Sequence, residues 1–253
     1  MKQKAPAKIN IFLKITGTRG EYHTIASRFV RYEKLYDVIS FEHCKSETFQ
    51  IEGIQIPLEQ NIITKAYHLL QKATQNPKLI DFFNHHIVRV QKNIPQGAGL
   101  GGGSSDAATF LLLANEAVGL GLSIQELAAI GAQIGADVPF FIYDYPSANV
   151  TGIGEKIEPF EEELPDIELR TLPLTCDTAK VYRHFRSHYF DSIDTDLTKE
   201  LLRLPSAAIL DRFTPLELND LYKSAKDLCP TLEKFSQTYY LSGSGSSLFR
   251  KKR

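Results

Sequence analysis

Apolar and polar residues alternate near the start of the chain. Ile9, Ile11 and Leu13 fall on one face, and Lys8 and Asn10 fall on the other. This period of two predicts a β-strand over residues 8–13. Segments rich in β-branched and aromatic residues predict further strands. They cover residues 28–43, 47–56, 86–92, 140–143 and 167–174, a strand edge within 144–156, and two strands flanking Gly243.

Other segments carry apolar residues at helical spacing. Asn61 is placed to cap a helix that runs to about Thr74, and Ser123 with Glu126 forms a capping box for a helix that ends at Gly135. Further helices are predicted over residues 106–114, 179–190, 195–203, 215–227 and 230–236. This mixture predicts an α+β protein of two domains, residues 1–150 and 151–253, with an acidic, proline-bearing segment just after the boundary.

The composition narrows the classes of partner. A net charge of −1 over 253 residues speaks against a nucleic-acid backbone as the main partner. No apolar run approaches the length of a membrane span, so no membrane partner is expected. The three cysteines lie far apart and form no C-x-x-C pair, which argues against a disulfide framework or a zinc site. We therefore expect a cytoplasmic protein.

The most informative segment lies between the strand at 86–92 and the helix at 106–114. Its eleven residues are Pro95, Gln96, Gly97, Ala98, Gly99, Leu100, Gly101, Gly102, Gly103, Ser104 and Ser105. Glycines let backbone N–H groups close on an anion, and the N-terminus of the following helix adds its positive end. The segment therefore predicts a phosphate site, with a nucleotide as ligand.

Three other classes of glycine-rich loop are compared with this segment. A P-loop requires a lysine at the position that Gly103 occupies, so a P-loop is disfavoured. Gly97, Gly99 and Gly102 fit the dinucleotide fingerprint, but a second helix beginning after Ser123 follows where that fold needs a strand. A glycine-rich turn without a ligand is disfavoured, because each glycine costs about 0.5–1 kcal/mol relative to alanine.

Together with its flanks, the loop resembles the GHMP kinases, the superfamily of galactokinase, homoserine kinase, mevalonate kinase and phosphomevalonate kinase. Six segments carry the resemblance in order: residues 5–13, 21–24, 93–108, 135–139, 148–155 and 241–245. It implies a two-domain GHMP kinase fold. The N-terminal domain would resemble ribosomal protein S5 domain 2, and the C-terminal domain would be ferredoxin-like, slightly truncated at the C-terminus.

Within the superfamily, the match favours the branch that transfers the ATP γ-phosphoryl group to the 2-hydroxyl of 4-diphosphocytidyl-2-C-methyl-D-erythritol, in the non-mevalonate route to isoprenoids. By this resemblance Asp137 is the candidate base and Lys8 the candidate cation, with Asn10 near the substrate. Each residue also has a plain interpretation: Asp137 as a turn or cap aspartate, and Lys8 as an exposed strand lysine.

The resemblance also implies the binding residues. Residues 95–105 would wrap the ATP phosphates. Ser104 and Ser105 could also cap the helix, a role compatible with phosphate binding, and Ser105 could in addition reach a Mg²⁺ ion carried by ATP. Asn61 and Lys92 would lie near the adenine, although a solvated surface position suits Lys92 nearly as well. Tyr22 and His23 would hold the cytosine. Tyr182 would complete an aromatic sandwich or pack in the core.

Two other functions remain open from the sequence. One is a homoserine-type or mevalonate-type kinase, against which Tyr22 and His23 speak, because those acceptors have no base to stack. The other is a nucleotide-binding homologue without catalysis. His184 and His188 have the spacing of a metal-binding helix, but Phe185 replaces the glutamate, so no metal site of the protein's own is expected. We expect a monomer or a weak homodimer.

Overall fold

The structure is a computed structural model that describes residues 1–252. Its strands in this part of the chain are β1 (Lys2–Arg19), β2 (Tyr22–His43), β3 (Ile51–Glu52), β4 (His86–Gln91), β5 (Ser147–Gly152), β6 (Lys156–Pro159), β7 (Ile167–Arg170), β8 (Tyr240–Leu241) and β9 (Leu248–Lys251).

The α-helices of the same residues are α1 (Ile62–Thr74), α2 (Pro77–Asn84), α3 (Gly102–Val118), α4 (Ile124–Ile134), α5 (Val138–Tyr143), α6 (Thr178–His188), α7 (Thr195–Leu201), α8 (Ser206–Arg212), α9 (Pro215–Leu218) and α10 (Leu221–Leu228). Short 3₁₀ turns cover Leu58–Gln60, Phe190–Ser192 and Pro230–Phe235.

The first of two compact units comprises residues 1–7, 32–94 and 101–145. In it the C-terminal half of β2 pairs antiparallel with β4, and β3 pairs parallel with β4. Helices α1, α3, α4 and α5 pack on one another. Its core holds an aromatic cluster in which Phe49 stacks on Tyr67 at 4.1 Å between ring centroids. Phe83 and Phe110 meet those rings, so the cluster fixes α1, α2 and α3 together.

The second unit comprises residues 8–31, 95–100 and 146 onwards. The N-terminal half of β2 pairs antiparallel with β5, and β5 continues into a hairpin with β6. A separate antiparallel sheet has the strand order β7-β9-β8. Its apolar core joins α6 and α10 through buried residues such as Val181, Phe185, Leu221 and Ala225.

Buried polar contacts fix β1 within the second unit. The Lys14 ammonium pairs with the carboxylate of Asp220, which also accepts a hydrogen bond from the Ile15 amide at 2.7 Å. The neighbouring Asn219 donates its side-chain amide to the carbonyls of Leu241 and Gly243, at 2.9 and 2.8 Å. The start of α10 therefore holds β1 and the turn after β8 in one place.

One predicted strand is wrong. Residues 140–143 belong to α5, which begins at Val138 and has Pro139 in its first turn. A short apolar run does not by itself distinguish a strand from a buried helix. Proline is common in the first turn of a helix, so Pro139 is the sequence signal that favours a helix here.

Other predicted boundaries also change. Of residues 47–56, only Ile51–Glu52 pair as a strand. The segment predicted as one helix over 215–227 is divided into α9 and α10 around Asn219. The sequence interpretation missed α2 and α8, although Asn76 and Pro77 form an ordinary helix start.

The compact units alternate along the chain, and β1 and β2 contribute residues to both. The predicted division into residues 1–150 and 151–253 stays a prediction, and Arg253, the last residue of that predicted domain, lies outside the described residues. Among residues 1–252, none of the helices has the length and apolar character that crossing a bilayer requires.

Candidate active site

Alternate glycines shape the predicted phosphate loop. Gly97, Gly99 and Gly101 have φ angles of 64°, 74° and 69°, the left-handed region that side chains disfavour. At Gly99 an added Cβ would lie 2.2 Å from the Ser242 carbonyl oxygen, and at Gly97 it would lie 2.5 Å from Thr175 Cγ2. The glycines are therefore required by backbone conformation and by close packing.

The loop ends at the N-terminus of α3. Gly101 is the N-cap residue, and no side chain caps this helix end. The interpretation of Ser104 and Ser105 as caps is therefore wrong, since both lie inside the helix. The Ser105 hydroxyl is buried and has no protein partner. Uncapped amides and the helix dipole suit an anion, so this end of the loop fits a phosphate.

The other end of the loop is held between β1 and the turn after β8. The Lys8 amide donates to the Leu100 carbonyl at 2.9 Å, and the Ser247 amide donates to the Ala98 carbonyl at 3.0 Å. The Ser242 hydroxyl donates to the Gly99 carbonyl at 3.0 Å. The serine-glycine turn at 242–245 therefore packs directly on the phosphate loop, within one unit.

The predicted cation is buried. Lys8 is 4% exposed, its ammonium donates to Asn10 Oδ1 at 2.5 Å, and it lies 4.5 Å from the centroid of the Phe29 ring. Asn10 in turn donates to the Ser27 hydroxyl at 2.9 Å. The plain interpretation of Lys8 as an exposed strand lysine is wrong, and the expectation that Lys8 and Asn10 share one face is confirmed.

The predicted base lies in the first unit. Asp137 precedes α5 as its N-cap residue, but its side chain caps no helix amide, so the interpretation as a cap aspartate is wrong. Two residues earlier, an added Cβ at Gly135 would lie 3.9 Å from Ser104 Oγ. The segment that leads into Asp137 therefore lies beside the first turn of α3.

The predicted cytosine residues lie in the second unit. The Tyr22 side chain is 66% exposed, whereas His23 is buried and packs against Tyr182 at 5.3 Å between ring centroids. His23 also lies 6.2 Å from the ring centroids of Phe185, in an edge contact, and of Phe190, whose ring is tilted. Tyr182 is half-buried against the core of α6 and α10, so it contacts both the core and His23.

The surroundings of His23 favour the neutral form of its imidazole. Burial lowers its pKa below the ordinary value of 6.5, and the positive charge of Arg186 acts in the same direction. Its Nε2 atom is buried without a protein partner. A neutral ring with one unpaired nitrogen can form one more hydrogen bond, as recognition of a polar ring would require.

The two predicted adenine residues have defined roles within the first unit. Asn61 accepts a hydrogen bond from the Ile63 amide at 2.9 Å and caps α1, as predicted. The Lys92 ammonium donates to carboxylate oxygens of Asp37 and Asp106, the latter at 2.6 Å. With its side chain 20% exposed, Lys92 is not a solvated surface lysine.

The sequence interpretation missed Asp37 and Asp106 as functional candidates. Burial raises the pKa of Asp106 to about 7, although the adjacent Lys92 ammonium acts in the opposite direction. For Lys92, burial would lower the pKa, but Asp106 and Asp37 outweigh it and raise the pKa above the usual value. One sequence signal could have indicated the group of Asp37, Lys92 and Asp106. Asp37 is a carboxylate inside an apolar strand pattern, and buried carboxylates are rare unless they are paired.

The histidine pair on α6 lies outside these groups. The rings of His184 and His188 stack at 4.1 Å, and His184 Nε2 lies 3.9 Å from an Asp227 oxygen. Across residues 1–252, no group of three or more His, Cys, Asp or Glu side chains is arranged to hold a metal ion.

Comparisons with known proteins identify the family of the chain. The sequence model of the family described as "GHMP kinases N terminal domain" matches residues 61–145, which include the glycine loop and Asp137. The fold and the loop therefore define a GHMP kinase. The predicted fold class is confirmed by similarity to a solved structure, that of a 4-(cytidine 5'-diphospho)-2C-methyl-D-erythritol kinase. That structure has a TM-score of 0.80 and 29% identity, with 100% of this chain and 90% of the other covered.

Two curated relatives define the family more closely. The 4-diphosphocytidyl-2-C-methyl-D-erythritol kinase of Sulfurovum sp. (strain NBC37-1) is 47% identical over 98% of both chains. The protein of the same name from Sulfurimonas denitrificans is 48% identical over 98% of this chain and 96% of its own length. The chain belongs to the 4-diphosphocytidyl-2-C-methyl-D-erythritol kinase family.

Proposed function

We propose that this protein transfers the γ-phosphoryl group of ATP to the 2-hydroxyl of 4-diphosphocytidyl-2-C-methyl-D-erythritol, a step of the non-mevalonate route to isoprenoid precursors. The observation that carries the proposal is the hydrogen bond from the Lys8 amide to the Leu100 carbonyl at 2.9 Å. It joins the strand that bears the buried cation directly to the glycine loop, so a phosphate bound at the loop has a fixed positive charge on the adjoining strand.

The chain's own residues fit the triphosphate of ATP. The loop at 97–101 offers backbone N–H groups with no side chain in the way, and α3 adds an uncapped N-terminus. The buried, unpaired hydroxyl of Ser105 supplies one more polar group beside that helix end. A Mg²⁺ ion carried with the nucleotide would neutralise charge on the β- and γ-phosphates. Asn61 and Lys92 lie on the segments that we assign to the adenine side.

The chemistry requires a base and a cation. In our proposal Asp137 accepts the proton of the substrate hydroxyl as the hydroxyl oxygen forms its bond to the γ-phosphorus. The bond from that phosphorus to the β–γ bridging oxygen breaks, and ADP leaves with the electron pair. Lys8 stabilises negative charge on the reacting oxygens. Positioning and charge neutralisation supply most of the rate in such transfers.

The cytidine end of the substrate suits the aromatic group of the second unit. Tyr22 is exposed enough to stack on a pyrimidine, and the neutral His23 has a ring nitrogen left to bond it. Tyr182 supports His23 from α6. In this proposal Asn10 contacts the substrate between the cytidine and the reacting hydroxyl.

We further propose a cytoplasmic enzyme that acts as a monomer or weak homodimer and has no nucleic-acid or membrane partner. The near-neutral charge of the chain supports the part of this proposal that concerns nucleic acid. We assign the ATP loop to a domain of residues 1–150 and a supporting role to residues 151–253. Light scattering after size-exclusion chromatography tests the oligomeric state, and a stable dimer at micromolar concentration would contradict it.

Transfer of ³²P from [γ-³²P]ATP tests the activity itself. With Mg²⁺ present, we expect labelled product from 4-diphosphocytidyl-2-C-methyl-D-erythritol and none above background from homoserine or mevalonate. Chelation of Mg²⁺ by EDTA should stop the reaction. Folded protein that transfers label to homoserine or mevalonate instead, or to none of the three alcohols, would contradict the proposal.

A further inference from the structure

One fully buried carboxylate holds the segment that leads into the glycine loop. Asp37 is 0% exposed. Its Oδ1 atom accepts hydrogen bonds from the amides of Asn93 and Ile94, at 2.5 and 2.8 Å. These are the last two amides before Pro95, where the loop begins. The carboxylate therefore fixes the direction in which the chain enters the loop.

The second oxygen of Asp37 is connected to the far end of the loop. It accepts a hydrogen bond from the Lys92 ammonium, which also donates to Asp106 at 2.6 Å. Asp106 lies in the N-terminal part of α3 and is 2% exposed. Lys92 thus bridges a carboxylate before the loop and a carboxylate after it.

Close packing adds a direct contact at the same place. A Cβ atom added to Gly102, the first residue of α3, would lie 2.9 Å from Ile94 Cγ2 and 3.5 Å from Asp37 Oδ2. The first residue of α3 therefore packs against Ile94 and Asp37. All of these residues belong to the first unit, so the segment that enters the loop and the start of α3 contact each other within one unit.

We propose that Asp37 is a positioning residue for the phosphoryl donor, which sets the two ends of the glycine loop through Lys92, Asn93 and Ile94. This inference rests on the proposed function, because it assigns the loop to ATP. In this proposal Asp37 does not itself contact the nucleotide. Its effect is to hold the segment that enters the loop against the N-terminus of α3 before ATP binds.

Two substitutions separate the parts of this role. Asp37→Ala removes the acceptor of both amides and the charge that faces Lys92. Asp37→Asn keeps an oxygen for the two amides, removes the charge and places an NH2 group where an oxygen accepts from Lys92. We expect Asp37→Ala to weaken ATP binding roughly tenfold or more, with Asp37→Asn between it and the wild type.

Isothermal titration with Mg·ATP and, separately, with CMP makes the measurement specific. A role confined to fold stability would weaken both ligands or neither, whereas the positioning role weakens Mg·ATP and leaves CMP within about twofold. Glu162→Gln is the matched control, because Glu162 is also buried and accepts from an arginine guanidinium and a backbone amide. We expect this control to lower stability and to leave Mg·ATP binding unchanged.

The possible results distinguish failure of the proposed function from failure of this inference alone. Wild-type protein that binds no Mg·ATP would overturn the proposed function and this inference together. Wild-type binding that is matched by both folded Asp37 variants would overturn the inference alone. Equal weakening by Asp37→Asn and Glu162→Gln would also overturn it, because the effect would then follow from the loss of any buried ion pair.

Discussion

Ser242 and Gly99 are 143 positions apart, yet the Ser242 hydroxyl donates to the Gly99 carbonyl at 3.0 Å. The same hydroxyl accepts a hydrogen bond from the Asn10 amide at 3.2 Å. One serine therefore joins the glycine loop to β1, the strand that carries Lys8 and Asn10. This contact makes the loop and the serine-glycine turn a single structural assembly.

The first prediction concerns the close approach at Gly99. Gly99→Ala places a Cβ atom 2.2 Å from the Ser242 carbonyl oxygen, so the loop or the turn must move. We expect kcat to fall at least tenfold and the free energy of unfolding to fall by more than the conformational penalty alone, which is about 1–2 kcal/mol. Initial rates and urea unfolding measure the two effects.

Gly121→Ala is the matched control for this prediction. Gly121 has a φ of +72°, close to the +74° of Gly99, but nothing lies within 4 Å of its added Cβ. The control variant therefore has the same conformational penalty but no steric clash. If the two variants lose equal stability and both keep full activity, the Ser242–Gly99 contact has no role in the site.

The second prediction concerns the proposed base. Asp137→Ala should lower kcat by a factor of about 10²–10⁴, the usual contribution of a positioned general base. Titration with Mg·ATP should still show binding, because the loop amides and α3 are unchanged. Rates at saturating substrate, measured beside that titration, check both parts of the prediction.

Asp194→Ala is the control for the second prediction. Asp194 is a true N-cap, since its side chain accepts from the amides of Asp196 and Leu197. Its loss should cost about 1 kcal/mol of stability and leave kcat unchanged. Near-normal turnover in Asp137→Ala would remove that residue from the base role.

Local patterns predicted the parts of this site that depend on neighbouring residues in sequence. The caps at Asn61 and Ser123 occur as predicted, because a cap is decided within four residues. The face shared by Lys8 and Asn10 also follows from strand parity alone. These features require no knowledge of the distant parts of the chain.

Contacts between distant segments could not be predicted in the same way. Asp37 gave no motif, and its partners Lys92 and Asn93 are more than fifty positions away. Ser104 and Ser105 look like caps in sequence, but the loop places Gly101 at the helix boundary. Lys8 packs against Phe29 and Asn10 donates to Ser27, both on the neighbouring strand, and a single-strand pattern does not reveal these partners.

The third prediction concerns the cytidine end. Tyr22→Ala should raise KM for the cytidine substrate about fivefold to a hundredfold, since stacking of a base on an aromatic ring contributes about 1–3 kcal/mol. KM for ATP should stay constant. Tyr22→Phe keeps the ring and should behave like the wild type. An unchanged KM in Tyr22→Ala would exclude stacking on this residue.

The fourth prediction uses the lowered pKa of His23. Because the folded pKa lies below the unfolded value of 6.5, the unfolded state gains the proton first as pH falls. The stabilisation from neutral His23 is thus complete above pH 6.5 and is lost below it. We expect His23→Gln to lose less stability than the wild type between pH 7.5 and pH 5.5 in urea unfolding. An equal loss in both proteins would show that His23 titrates normally.

The fifth prediction concerns Asp106, whose pKa is raised from 3.8 to about 7 by burial. Between these values the folded protein holds a proton that the unfolded chain has released. This group therefore favours folding at low pH, and its contribution is lost as pH rises from about 4 to 7, by up to about 1.4 kcal/mol per pH unit. The charged groups that face it are Lys92 and Asp37.

Asp106→Asn removes this titration and keeps an oxygen that can accept from Lys92. We expect the free energy of unfolding of the variant to fall less steeply with pH than that of the wild type over pH 4–7, measured by urea unfolding at half-unit steps. Asp220 also has a raised pKa, from burial, and contributes equally to both proteins, so the difference between the two curves isolates Asp106. Parallel curves would mean that Asp106 stays ionised throughout, and Lys92 would then balance both carboxylates beside the N-terminus of α3.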